Sequence, residues 1–260
     1  MMEPSFNFWD NLAKRYPHYN DPAMSKDVRF ILEWCENKGV SFNNVSILDI
    51  GCGTGTIAIP FAQKGAQVTA IDVSAGMLDV LQEDAKEIGL MDKITTHQSD
   101  WDAFALTSKY DLVIASMTPA ISDEAKLEKM LDATHDVGIY VGWGKYRNNK
   151  FVDALIKCHN VPDDVGAGGC IKTEQFMKAM NLRQIPFECE FFEASWQEEF
   201  TPQEAKSYAY DQLKRKNVEP DDEKIDAILQ EYLKDGKVIV ETEAEKGIVL
   251  FSTCKAKKAF

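Results

Sequence analysis

At 260 residues, 45% hydrophobic and 10% aromatic, the chain can bury a substantial core, which argues against intrinsic disorder. A formal net charge of −13 repels phosphate backbones and anionic lipid, so neither nucleic acid nor a membrane is an expected partner. The small basic clusters Lys214-Arg215-Lys216 and Lys255, Lys257, Lys258 read as a solvated helix face and a frayed tail. The elements then follow in chain order. Val45 to Ile50 is a buried strand, followed by a helix to about Lys64 that Gly65 stops. Gln67 to Ile71 is a second strand. Ser74 caps a helix with Met77, Leu78, Leu81, Ala85 and Ile88 on one face, and Gly89 closes it. Ile94 to His97 and Tyr110 to Ala115 are the third and fourth strands. A helix from Asp123 to Leu131 leads to a fifth strand at Val137 to Trp143. Such alternation predicts a parallel sheet with helices on both faces.

Beyond Trp143 the pattern loosens. A short helix near Phe151 to Lys157 precedes the Gly-rich VGAGG, Thr173 is the expected cap of another helix, and Pro186 to Ala194 alternates like a sixth strand. Thr201-Pro202-Gln203-Glu204 is a capping box with proline at the first helical position. Ile225, Ile228, Leu229, Tyr232 and Leu233 form an amphipathic stripe ending at Gly236. Lys237 to Thr242 and Gly247 to Ser252 read either as a hairpin or as one long bent strand.

The chemistry concentrates in Asp49-Ile50-Gly51-Cys52-Gly53-Thr54-Gly55, where the first strand turns into the first helix. Glycines at alternate positions let the backbone turn tightly and approach a ligand. Asp72 ends the second strand, at the neighbouring position of a doubly wound sheet, where a carboxylate can accept both hydroxyls of a ribose. The third strand ends at Ser99-Asp100-Trp101, where an adenine edge would lie. A dinucleotide site shares the glycines and the ribose carboxylate. The GxGxG spacing differs from the GxGxxG of that site, and Asp49 before the first glycine suits an ammonium and opposes a diphosphate.

These residues resemble the class I S-adenosylmethionine-dependent methyltransferase family, over about Trp9 to Trp143. The resemblance implies a doubly wound, seven-stranded, mostly parallel Rossmann-like α/β sheet in a single domain. Residues 1–45 would be an N-terminal helical segment, 46–195 and 237–260 the core, and 196–236 a helical cap inserted before the last strand. It implies S-adenosylmethionine as cofactor, with Gly51, Cys52, Gly53 and Gly55 around the methionine part and Asp49 at its polar end. Asp72 would hold the ribose, Val73 and Met77 would lie against the adenine, Asp100 would accept from its amine and Trp101 would cover it. Ser116 and Met117 would face the sulfonium. Tyr16, in FWDNLAKRYPHY, would close over the cofactor, with Tyr19 as the second choice.

On the acceptor side, Ser116-Met117-Thr118-Pro119 departs from the (Asn/Asp)-Pro-Pro-aromatic signature of enzymes that methylate amide or nucleobase nitrogens. It also lacks the acidic residue of a magnesium-dependent catechol methyltransferase. The six cysteines form no CxxC pair, and the lone cluster Cys158, His159 and Cys170 lacks the adjacent cysteines expected of a metalloid enzyme. No metal is expected. A small-molecule acceptor follows, with Trp143 and Trp196 as a wall at the ends of adjacent strands. Tyr16, His18, Tyr146, Arg147, His159, Glu198 and Glu199 are the titratable candidates, whereas His97 and His135 read as structural. A non-catalytic cofactor-binding module is the alternative. The opening MMEPSFNFWD has no basic region leading into an apolar run, and no stretch approaches the ~18 apolar residues of a membrane span. A cytoplasmic chain with reduced thiols is expected.

Overall fold

The computed structural model describes residues 6–161 and 171–253, and VGAGG, Cys170, Cys254, Lys255, Lys257 and Lys258 lie outside them. Helices α1 (Phe6–Ala13) and α2 (Pro22–Asn37) precede β1 (Ser46–Ile50), α3 (Ala58–Gln63), β2 (Gln67–Asp72) and α4 (Ala75–Glu87). Then come β3 (Ile94–Gln98), β4 (Tyr110–Ser116), α5 (Glu124–Ala133), β5 (Thr134–Asn149), α6 (Lys150–Cys158) and α7 (Thr173–Leu182). The chain continues through β6 (Phe187–Phe200), α8 (Pro202–Lys214), α9 (Asp222–Tyr232), β7 (Leu233–Lys234) and β8 (Lys237–Ser252). The sheet runs β3-β2-β1-β4-β5-β8-β6, with β1 to β5 mutually parallel wherever they pair. Seven strands follow this path, and an eighth, the two-residue β7, pairs only with β8.

The chain divides into two compact units. One comprises Met1–Gly144, Gly168–Phe192 and Lys246–Phe260, and the other Lys145–Ala167 and Glu193–Glu245. The expectation was one domain with a cap at 196–236. The second unit is larger because β5, β6 and β8 run on past the positions where the alternation weakens, and their far ends join α6, α8 and α9 around a separate core. Phe151, Leu155, Ala209, Ile225, Leu229, Val238 and Val240 fill that core.

In the first unit the strand period of two sends successive side chains to opposite faces. Ile47, Ile114, Ile139 and Val141 face α2, α3 and α4 through Ile31, Cys35, Phe61 and Leu81. Leu48, Ile50, Val113, Ala115 and Tyr140 face α5 and α7 through Leu127, Met130, Phe176 and Met180. The Tyr140 and Phe176 rings stack with centroids 4.1 Å apart. Gly138 leaves room for Phe251, since a Cβ there would lie 1.9 Å from the ring. Such runs of fully buried β-branched and leucine side chains are what a parallel sheet covered on both faces requires.

Helix starts follow their sequence signals with one exception. Ser74 accepts from the Met77 amide and Thr201 from the Glu204 amide, while Glu204 returns a bond to the Thr201 amide. At α7, Thr173 is the first helical residue rather than the cap. The cap position is Lys172, whose amide donates to the Gln175 side chain, and Thr173 is buried with its hydroxyl donating to the Gly247 carbonyl. Of the two readings of the C-terminal segment, the single long strand is observed. Trp143 and Trp196 do not terminate adjacent strands: both lie within their strands, and β8 runs between β5 and β6. Among the described residues no helix is long and apolar enough to cross a membrane.

Candidate functional site

Because β1 to β4 are parallel, their C-terminal ends reach one edge of the sheet and bring together the GxGxG turn, Asp72, Asp100 and Ser116-Met117. The turn is tied to β2, with the Gly51 and Cys52 amides both donating to the Ile71 carbonyl at 2.8 and 3.0 Å. Gly51, Gly53 and Gly55 all have positive φ (68°, 55° and 80°), but their missing side chains serve three different purposes. A Cβ on Gly51 would sit 2.0 Å from the Thr118 hydroxyl oxygen, and one on Gly55 would sit 2.6 Å from Leu81 Cγ. Gly51 therefore admits the β4 loop and Gly55 admits α4. Only Gly53 is open, its nearest neighbour being Tyr16 Cε1 at 3.9 Å.

Asp49 shares the face of Ile47 yet is buried to 2% exposure, and its Oδ2 has no hydrogen-bond partner among the described residues. Burial, with the Asp72 charge second, pushes its carboxyl up to about 7. A buried carboxylate oxygen without a partner is costly in a finished core and is expected where a ligand completes it. Asp72 accepts from the Gly53 amide through Oδ2 and from the Ser74 amide through Oδ1, both at 2.9 Å. Burial raises its carboxyl, and these N–H donors oppose the rise. Each oxygen keeps a second lone-pair direction for a hydroxyl. Cys52 is buried, and the same desolvation and the two carboxylates hold its thiol well above the usual range, so it is no nucleophile.

The N-terminal segment lies over this turn. Thr54, fully buried, donates to the Pro17 carbonyl at 2.6 Å, which sets Tyr16 next to Gly53. Asp10 accepts from the Ser74 hydroxyl and the Gly76 amide, so α1 docks on the start of α4. Those two donors hold the Asp10 carboxyl below its usual range. Asp10, Thr54 and Thr118 carry no motif of their own, and only the fold reveals them. Ser116 is the half-buried last residue of β4. Met117 follows at φ +52°, its amide donating to the Val141 carbonyl at 2.8 Å. A methionine in that region stores strain of about 1–2 kcal/mol, a common mark of a functional strand end.

Two adenine-side expectations change. Trp101 is 2% exposed, and its indole N–H donates to the Lys126 carbonyl at 3.0 Å. The ring belongs to the core beneath α5, because a buried N–H must find an acceptor and that acceptor lies on α5. Met77 is also fully enclosed. Val73 is half-buried, and its carbonyl accepts from Gln98 Nε2 at 3.3 Å. Asp100 remains at the edge, half-buried, its Oδ1 accepting from the Asp102 amide at 2.7 Å.

The titratable candidates other than Tyr16 are occupied elsewhere. His18 Nδ1 lies 2.8 Å from the Asp84 carboxylate on α4. In the second unit Tyr146 donates to Glu193 at 2.6 Å, which with neighbouring carboxylates pushes its phenol up to about 12. His159 spans two backbone groups, Nδ1 facing the Leu155 carbonyl at 2.8 Å and Nε2 accepting from the Asp221 amide at 3.1 Å. Glu199 pairs with Lys237 at 2.6 Å, Arg147 lies 5.7 Å from the Trp196 ring, and burial, with the Glu198 charge second, raises the Tyr208 phenol. Among the described residues no group of three or more His, Cys, Asp or Glu side chains could hold a metal.

Residues 47–138 match a family described as "Methyltransferase domain". The likeness to methyltransferases is one of this stretch, about a third of the chain. An uncharacterized protein of Haemophilus influenzae is 36% identical over 128 residues, covering 44% of this chain and 47% of that protein. The magnesium protoporphyrin IX methyltransferase of Arabidopsis thaliana is 38% identical over 74 residues, covering 28% of this chain and 23% of its own. The chain thus spans less than half the length of each of these relatives. In structure, the chain is similar to magnesium protoporphyrin IX methyltransferase from Synechocystis PCC 6803, crystallised with bound SAH. The TM-score is 0.52 at 18% identity, covering 75% of this chain and 83% of that one, a likeness of fold.

Proposed function

We propose that the chain binds S-adenosylmethionine and transfers its methyl to a small-molecule acceptor in the cytoplasm. The observation that carries this reading is the buried Asp49 oxygen without a partner beside the one open glycine of the turn. An ammonium group placed there meets a carboxylate already stripped of water, whereas a diphosphate would meet repulsion. Asp72, held by the Gly53 and Ser74 amides, offers its remaining lone pairs to the ribose hydroxyls. Asp100 receives the adenine amine, and Tyr16 closes over Gly53.

Bound S-adenosylmethionine supplies a methyl already activated by its sulfonium. The chain's residues then have alignment and water exclusion as their task, and no covalent nucleophile is needed. Tyr16 and the tied N-terminal segment shield the turn, and the strained Met117 with Ser116 presents the end of β4 toward the reacting centre. A small-molecule acceptor is supported by the net charge of −13, which opposes nucleic acid, and by a relative named for methylating magnesium protoporphyrin IX. The test is incubation of the purified protein with S-adenosylmethionine and fractionated metabolites. Accumulation of S-adenosylhomocysteine in particular fractions is expected, and its absence across a broad panel sinks the catalytic reading.

A further inference from the structure

The residues after β3 form a single closed turn. The Ser99 amide donates to the Asp72 carbonyl at 2.9 Å, so the turn starts from the backbone of the ribose carboxylate. The Asp100 carbonyl accepts from the Phe104 amide and from the Ser99 hydroxyl, both at 2.9 Å, and its side chain accepts from the Asp102 amide. One helical turn of this kind leaves its last carbonyls without intrahelical donors. Lys129, on α5, supplies them. Its ammonium donates to the carbonyls of Trp101, Asp102 (3.0 Å) and Phe104 (2.7 Å), using all three of its protons. The same ammonium sits 4.6 Å from the Trp101 ring centroid, and that ring is fixed by its own bond to Lys126.

We propose that Lys129 is a positioning residue for recognition of the adenine base, acting through the turn it gathers to aim the Asp100 carboxylate at the exocyclic amine. This rests on the reading of Asp100 given above. The ammonium bonds only to backbone carbonyls of the turn that runs from the Asp72 carbonyl through Asp100 to Phe104. Burial lowers the Lys129 ammonium and the Asp100 and Asp102 charges oppose this, in keeping with a cation enclosed by the turn. Without it, three carbonyls lose their donors, and the Asp100 side chain loses the fixed amide of Asp102 that sets its direction.

The test compares binding of S-adenosylhomocysteine and S-inosylhomocysteine, which differ in carrying an amine or a carbonyl at the base edge. The wild-type chain should prefer the adenosyl compound by roughly tenfold or more, the scale of one charged hydrogen bond. Lys129→Met, which keeps the stem and removes the donors, should lose most of that preference by weakening the adenosyl compound alone. Hydrogen exchange at the 102 and 104 amides should quicken in the same variant without ligand. Should Lys129→Met not fold, Lys129→Gln carries the measurement, with one amide in place of three ammonium donors and an intermediate preference expected. Unchanged preference in either folded variant overturns the inference while leaving the cofactor assignment intact. Failure of the wild-type chain to bind the adenosyl compound overturns both.

Discussion

The turn after β1 and the second unit treat their polar groups in opposite ways. In the second unit the polar side chains that looked reactive in sequence have found protein partners: Tyr146 has Glu193, His159 has two backbone groups, and Glu199 has Lys237. Buried Asn149 likewise donates to Thr242 at 2.7 Å. At the turn, a buried carboxylate has an oxygen without a hydrogen-bond partner among the described residues, a methionine holds a left-handed conformation and one glycine has room for a Cβ with only Tyr16 beside it. Satisfied polar groups hold a fold together; unsatisfied ones at a strand end are kept for something that arrives later.

That contrast breaks first at the glycines. Gly51→Ala, which drives a Cβ into Thr118 at a positive φ, should destabilise the chain by roughly 2–4 kcal/mol in chemical denaturation. Gly53→Ala, with open space before it, should cost only about 1 kcal/mol in stability while impairing ligand binding. Equal stability losses at the two positions would erase the distinction between packing and binding glycines. Next in size, Asp72→Ala should weaken S-adenosylhomocysteine binding by about 1.5–3 kcal/mol in titration calorimetry, the usual cost of losing a charged hydrogen-bond partner. Unchanged affinity would place the ribose elsewhere.

Asp49 gives a test with two opposite signs. Its folded value of about 7 lies above the ordinary 3.8, so the stability it contributes is complete below about pH 4 and is lost as the pH rises to about 7. Cofactor affinity should move the other way, growing over the last part of that range as the carboxylate ionises to meet the ammonium. Asp49→Asn should flatten the stability slope, leave the chain more stable than wild type above pH 7, and remove the rise in affinity. A wild-type stability profile flat between pH 4 and 7 would show that Asp49 ionises freely. The smallest effect is expected in the second unit. Tyr146→Phe removes an exposed hydrogen bond and should change stability by no more than about 0.5 kcal/mol, with cofactor affinity unaltered.

The core of the sheet was legible because hydrophobic runs of five or six residues, punctuated by Ser74, Gly65 and Gly89, repeat a pattern that few other folds produce. That Asp49 and Asp72 lie at one edge was legible because strand ends in a parallel sheet converge. Trp101 was misread because the pair Asp100-Trp101 does not say on which side of the chain an indole will find its acceptor. Gly51 and Gly55 also answer to long-range partners, Thr118 and Leu81, that the local sequence does not show. The second unit was underestimated because β5, β6 and β8 continue with polar residues facing outward, and a half-exposed strand end carries a weaker signal than a buried one.

Titration calorimetry of the chain with S-adenosylmethionine and with NAD in parallel decides whether the edge around Asp49 and Asp72 takes S-adenosylmethionine. Saturable heat from S-adenosylmethionine alone, weakened in Asp72→Ala, is the predicted result. Heat from NAD with none from S-adenosylmethionine would contradict it.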